Sequence, residues 1–237
     1  MSSDLLIPAV IFGGIATFAL STYVKYRRRL AFIDGYQWPK GLIERLRHHH
    51  PSLPDGDISR IEQGLRQFFR AYLKGGFRYV SMPSQAVDDL WHEFILYTRS
   101  YDEFCRKAFG RFLHHTPAVV LAQGKKQTNE GLRRVWWQCC KEEGIDPKTP
   151  AALPLLFALD TDLAVPNGYR YVPDCRKPAN STARGQEFTI GVSFGAGTQC
   201  GGDFSSTSFD GGTDGLGDGD GSGDGGDGGD GGGCGGD

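Results

Sequence analysis

The sequence predicts an all-α fold in three parts: an N-terminal transmembrane helix, a small helical bundle and a disordered Gly/Asp-rich tail. Three observations carry that prediction. Leu5 to Val24 is an uncharged run of twenty residues. Between the ends of the chain, apolar residues recur at three- and four-residue spacing, and stretches with the two-residue alternation of strands are nearly absent. From Gly201 to Asp237 the chain holds 18 Gly and 9 Asp and no Lys, Arg or Glu.

The apolar run comes first. Twenty residues at helical rise are enough to cross the hydrocarbon of a bilayer, and "KYRRR" follows at once while only Asp4 precedes. Basic residues favour the cytoplasmic flank. The expectation is therefore a single-pass anchor in the inner membrane over residues 1–29, with the N-terminus outside and the body cytoplasmic. A cleaved signal peptide fits less well, because no basic segment precedes the run. In a cytoplasmic body the six cysteines are expected as reduced thiols. No two of them are spaced as in a zinc ribbon.

Residues 30–175 form the expected helical domain. "GLIERLRHHHP" reads as a short helix stopped by Pro51. The next helix takes Asp57 as its cap, a stripe of Ile58, Ile61, Leu65, Phe68, Phe69 and Tyr72, and Gly75 as its stop. A third follows Pro83 and continues to Gly110, with Val87, Leu90, Trp91, Phe94, Ile95, Thr98, Tyr101, Cys105 and Ala108 facing the core. Thr128 caps a fourth, which carries Leu132, Val135, Trp136, Cys139 and Cys140 inward and ends at Gly144. "TPAALPLLFALD" makes a fifth, with proline in its first turn. Residues 176–200 read as a linker in which "FTIGVSFG", 188–195, is at most a short strand. The tail, 201–237, is too poor in apolar side chains to offset its ordering entropy.

On the third helix, at about 100° per residue from Val87, Trp91 lies near 40° and Ile95 near 80°, on the buried side. Asp88 then falls near 100° and His92 near 140°, on the border with solvent, while Asp89 and Glu93 point elsewhere. A carboxylate and an imidazole at such a border can both reach an ion, and His115, beyond the chain reversal that Gly110 permits, can fold back towards them. Asp88, His92 and His115 are thus the candidate ligands of a divalent transition metal. The competing reading makes Asp88 and His92 an ordinary stabilising i,i+4 pair. His48, His49 and His50 sit at a helix C-terminus, where the helix dipole favours cations without any further role.

"VDDLWH", "YDEFC" and "FGRFLHH" together resemble the signature of the glycine-rich-domain-containing proteins, of the bacterial type, on Asp88, Trp91, His92, Tyr101, Asp102, Cys105, Gly110 and His115. The resemblance covers roughly residues 55–175 and implies a mostly helical domain without implying a reaction. Many members carry W-H-x-H where this chain has Phe94, which removes one candidate ligand.

Charge divides the chain. The tail carries nine negative charges, and residues 1–200 hold 26 Lys and Arg against 19 Asp and Glu. Nucleic-acid binding is not expected, because Trp136 fits a helix core and the neighbouring arginines its solvated face. The Asp-Gly repeats lack the large apolar residue that a calcium-binding β-roll needs. No phosphate-binding loop, zinc-protease helix or nucleophile elbow occurs. The functional expectation is an interaction or accessory protein at the membrane with an unknown protein partner, and the alternative is a metal-binding or metal-dependent enzyme domain using Asp88, His92 and His115.

Overall fold

The computed structural model of the chain describes residues 3–115, 125–173 and 198–205. They form seven helices: α1 (Ser3–Gly35), α2 (Leu42–His49), α3 (Asp55–Lys74), α4 (Gln85–Leu96), α5 (Thr98–Phe109), α6 (Lys125–Glu143) and α7 (Leu155–Asp162). Two three-residue strands, β1 (Arg170–Val172) and β2 (Thr198–Cys200), pair in parallel with Tyr171 opposite Gln199. A 3-10 turn, Gly202–Ser205, follows.

The helix α3 lies at the centre and packs against α1, α4, α6 and α7. Its buried stripe is the one its periodicity predicts, from Ile58 to Tyr72. Gly64 is where α3 comes nearest to its neighbours: a Cβ there would lie 2.6 Å from the Leu159 side chain of α7 and 2.9 Å from that of Val87 on α4. Phe104 is fully buried and its ring meets those of Phe32, Tyr36, Phe69, Phe94 and Phe109, which joins α1 and α5 to the core. Removing such a ring costs about 3–5 kcal/mol.

The expected transmembrane anchor is not supported. Among the described residues no helix is long and apolar enough to cross a membrane. The uncharged run from Leu5 to Val24 lies on α1 and ends at Lys25. Further on the same helix becomes part of the domain. Ile33 is fully buried, and Arg66 of α3 donates to the carbonyls of Ile33 and Tyr36. The inner-membrane location, the orientation and the membrane as a partner rested on that anchor and fall with it.

Several boundaries move for local reasons. The helix expected from Pro83 to Gly110 is two helices broken at Tyr97, where φ is −80° and ψ 59°. α3 begins at Asp55 after Pro54 rather than at an Asp57 cap. α7 begins only after Pro154, since a proline restricts the residue before it. α6 starts ahead of Thr128, at Lys125. The strand pair was not expected, and Phe204 beyond it is buried against Trp136, Phe157 and Tyr171. The packed body therefore reaches Phe204. The segment 188–195 and the tail after Ser205 lie outside the described residues.

Cys105, Cys139 and Cys140 are buried free thiols, and burial pushes each upward, Cys140 to about 12. Cys200 departs from the expectation of reduced thiols: it is disulfide-bonded, with its partner outside the described residues. That expectation followed from the cytoplasmic placement, which the anchor alone had supported.

Candidate metal centre

The site is assembled from the start of α4 and the segment that follows α5. Ser84 caps α4 by accepting a hydrogen bond from the Val87 amide at 3.3 Å. Four residues apart on the helix, Asp88 and His92 share one edge, as their angular positions require. The break at Tyr97 folds α5 against α4, and Gly110, with φ of 73°, ends α5 in the left-handed region that only glycine adopts freely. A Cβ at Gly110 would in addition lie 2.7 Å from the Arg29 guanidinium. The chain then returns to bring His115 beside Asp88.

The three side chains converge. His115 Nε2 lies 3.0 Å from Asp88 Oδ1, and His92 Nδ1 lies 3.4 Å from Asp88 Oδ2. The two imidazole centroids are 4.3 Å apart. One ligand atom from each residue can be chosen so that all lie within 4.8 Å of one another. With metal–ligand bonds of about 2.1 Å, neighbouring ligand atoms stand about 3.0–3.4 Å apart in octahedral or tetrahedral geometry. The two contacts through Asp88, one to each of its oxygens, already match that spacing. His115 is 12% exposed, Asp88 21% and His92 49%, so the set is walled on one side and open on the other.

His115 is held by a buried relay. The Tyr101 hydroxyl accepts from Trp91 Nε1 at 3.1 Å and donates to the Leu113 carbonyl at 2.6 Å. This fixes the backbone two residues before His115, and the Trp91 ring meets the His115 ring edge-on at 4.5 Å. Burial, first of all, and Cys105 beside it push the Tyr101 phenol far up, so it remains a donor. In a continuous helix residues 91 and 101 would stand about 15 Å apart. The relay exists because the helix breaks. Trp91, Tyr101, Cys105, Gly110 and His115 therefore act as one structural unit around Asp88, whereas Asp102 is a surface residue paired with Arg106. Phe94 is fully buried against Tyr36, Trp38 and Tyr101, so a histidine at that position would point into the core and away from His92.

The opposite edge of α4 holds a second polar cluster. Glu93 pairs with Arg45 Nε and with His49 Nε2, the latter at 3.0 Å, and Asp89 pairs with His50 Nε2 at 2.9 Å and Gln85 at 2.9 Å. These contacts join α2 to α4. Burial acts to raise both carboxyls but is outweighed by the hydrogen bonds from His50 and Gln85 to Asp89 and from His49 and Arg45 to Glu93, and both are held below the ordinary carboxylate range. His48 is exposed. Sequence reasoning missed this use of His49 and His50, because their partners lie 44 and 39 residues away.

A family model described as UCP032817-like matches residues 28–204. The chain belongs to the UCP032817-like family. The match runs from the last turns of α1 to Phe204, and the described residues within it pack together here. It replaces the resemblance to the glycine-rich-domain-containing proteins, which no comparison supports. The three short motifs behind that resemblance describe the Trp91–Tyr101–Leu113 relay and its surroundings, a packing solution that does not by itself define a family. No curated protein and no solved structure matches the chain.

Proposed function

We propose that this domain of the UCP032817-like family binds a divalent transition metal through Asp88, His92 and His115. The observation that carries the proposal is the convergence of one carboxylate and two imidazoles, drawn from two separate segments, to within 4.8 Å. Two histidines and one carboxylate on one side of an ion, with the other positions open, suit iron, zinc or manganese. Three protein ligands with an open position also mark sites that bind substrate or activate water. The ion would act there as a Lewis acid or lower the pKa of a bound water. The test is metal content of the purified, tag-free chain by mass spectrometry, beside His92→Ala and a His48→Ala/His49→Ala control for adventitious binding. Near-stoichiometric metal that survives the control and is lost with His92→Ala supports the proposal. Failure to retain or take up zinc, iron or manganese sinks it.

An interaction or accessory role is the second reading, favoured by the α1 arm. Phe12, Ile15, Phe18, Leu20 and Tyr23 are all more than half exposed. Large apolar side chains gathered on one exposed segment mark contact surfaces. Light scattering on the full chain and on a Phe12→Ser/Phe18→Ser variant tests it: association lost in the variant supports a contact along α1, and identical masses oppose it.

A further inference from the structure

The segment after α7 passes over the N-terminal end of α4, and one buried carboxylate fastens it there. Asp160, 4% exposed, accepts from Ser84 Oγ at 2.7 Å, the Gln85 amide at 2.7 Å, the Ala86 amide at 3.2 Å and the Tyr169 amide at 2.8 Å. A carboxylate can accept about four such bonds, so its capacity is filled. Asp160 therefore joins residue 169 to the first turn of α4, the turn whose Ser84 carbonyl receives the Asp88 amide. The Tyr169 amide is accordingly held beside the first turn of α4, one turn ahead of Asp88.

Tyr169 is 37% exposed, and among the described residues its hydroxyl makes no hydrogen bond, although its backbone amide donates to Asp160. Burial, and after it the Asp88 and Asp160 carboxylates, push the phenol up from its ordinary value. A group so placed keeps its proton near neutrality and can only gain from an acceptor brought close to it. A divalent ion with a single carboxylate ligand carries a net positive charge and takes an anionic oxygen at its open positions.

Resting on the metal-site reading above, we propose that Tyr169 is the ligand-contacting residue of this centre, its phenol donating a hydrogen bond to an anionic oxygen ligand, of the carboxylate or phosphate class, bound on the open face of the ion. Asp160 is a positioning residue that acts through the Tyr169 backbone. The division of labour is the one that small-ligand sites need: the ion supplies attraction, and a fixed donor selects where the ligand's second oxygen lies.

The experiment uses the full chain loaded with cobalt(II), whose visible absorption reports its ligands, titrated with inorganic phosphate and, separately, with acetate. In the unaltered chain at least one anion shifts the cobalt spectrum saturably. In Tyr169→Phe the cobalt affinity stays within about twofold while that anion binds about tenfold more weakly, as expected for one lost hydrogen bond to a charged acceptor. Thermal unfolding monitored by circular dichroism confirms that the variant is folded. Equal anion affinity in Tyr169→Phe overturns the proposal, as does a cobalt spectrum that neither anion perturbs. Loss of cobalt in a folded Tyr169→Phe also overturns it, because the tyrosine would then hold the metal and not its ligand. Absence of cobalt binding in the unaltered chain removes the metal site itself and so is distinguishable from all of these.

Discussion

On one edge of α4, Asp88 stands between His92 and His115; on the other, Asp89 and Glu93 face His50, His49 and Arg45. Both clusters draw on i,i+4 residues of the same two turns, and both recruit histidine from another segment. They differ in stoichiometry. On the α2 edge each imidazole has a carboxylate of its own and Arg45 takes the second oxygen of Glu93, so both carboxylates are occupied and the two pairs remain separate. On the other edge two imidazoles share one carboxylate and converge within 4.8 Å. Residue types alone therefore do not make a ligand set: a guanidinium cannot bind a cation, and paired charges close the space an ion would need.

The strongest way to break the comparison is to delete one histidine from each edge. His115→Ala should lower metal affinity by about a hundredfold or more, since it leaves two ligands where structural and catalytic sites use at least three. His50→Ala should leave metal affinity within about twofold and instead destabilise the fold by about 1–3 kcal/mol, by stripping the partly buried Asp89 of a hydrogen-bond partner. Isothermal titration with zinc and denaturant unfolding, run on both variants, separate the two effects. Equal loss of metal in the two variants would show that the edges form one site.

Glu93→Gln probes the α2 edge further. The side chain is 12% exposed and engages both Arg45 and His49. Its neutral replacement should cost about 1–3 kcal/mol in urea unfolding without altering metal content. Tyr101→Phe sharpens the other side. Losing the hydroxyl frees the Leu113 carbonyl and loosens His115, so metal affinity should fall about tenfold, the lower end of the range for groups that orient a ligand from behind. An unchanged affinity would mean that Trp91 alone suffices to hold the His115 ring.

The helical body was legible because buried residues on α3 and α4 follow the 3.6-residue period, and the same period placed Asp88 and His92 together. The approach of His115 was open to sequence reasoning only as a permission granted by Gly110. What brings it home is the break at Tyr97, and no glycine or proline marks that break: the packing of Phe94 and Tyr101 against the aromatic core does. His49 and His50 were read through the helix dipole, a local argument, while their actual partners are fixed by the α2–α4 packing. Three-residue strands 28 positions apart leave too short a pattern to detect. The apolar N-terminal run misled for a related reason, since a hydropathy window does not register that the following turns of the helix pack into a domain.

Acidity provides the finest distinction between the edges. Asp89 and Glu93 are held below the ordinary carboxylate range, so the folded state binds their protons less readily than the unfolded chain does. Their contribution is therefore complete above about pH 4.5 and is lost as the pH falls through their folded-state values. The groups facing them are Arg45, His49, His50 and Gln85, of which Arg45 stays charged throughout. An Asp89→Asn/Glu93→Gln double variant should consequently be less stable than the unaltered chain at pH 7, with the gap narrowing by about 1 kcal/mol or more between pH 5 and pH 3. Thermal unfolding at half-unit pH intervals measures that gap. If it stays constant over the interval, the two carboxylates do not carry the acid sensitivity of the α2–α4 junction, and the paired-carboxylate account of that edge fails while the Asp88 edge is untouched.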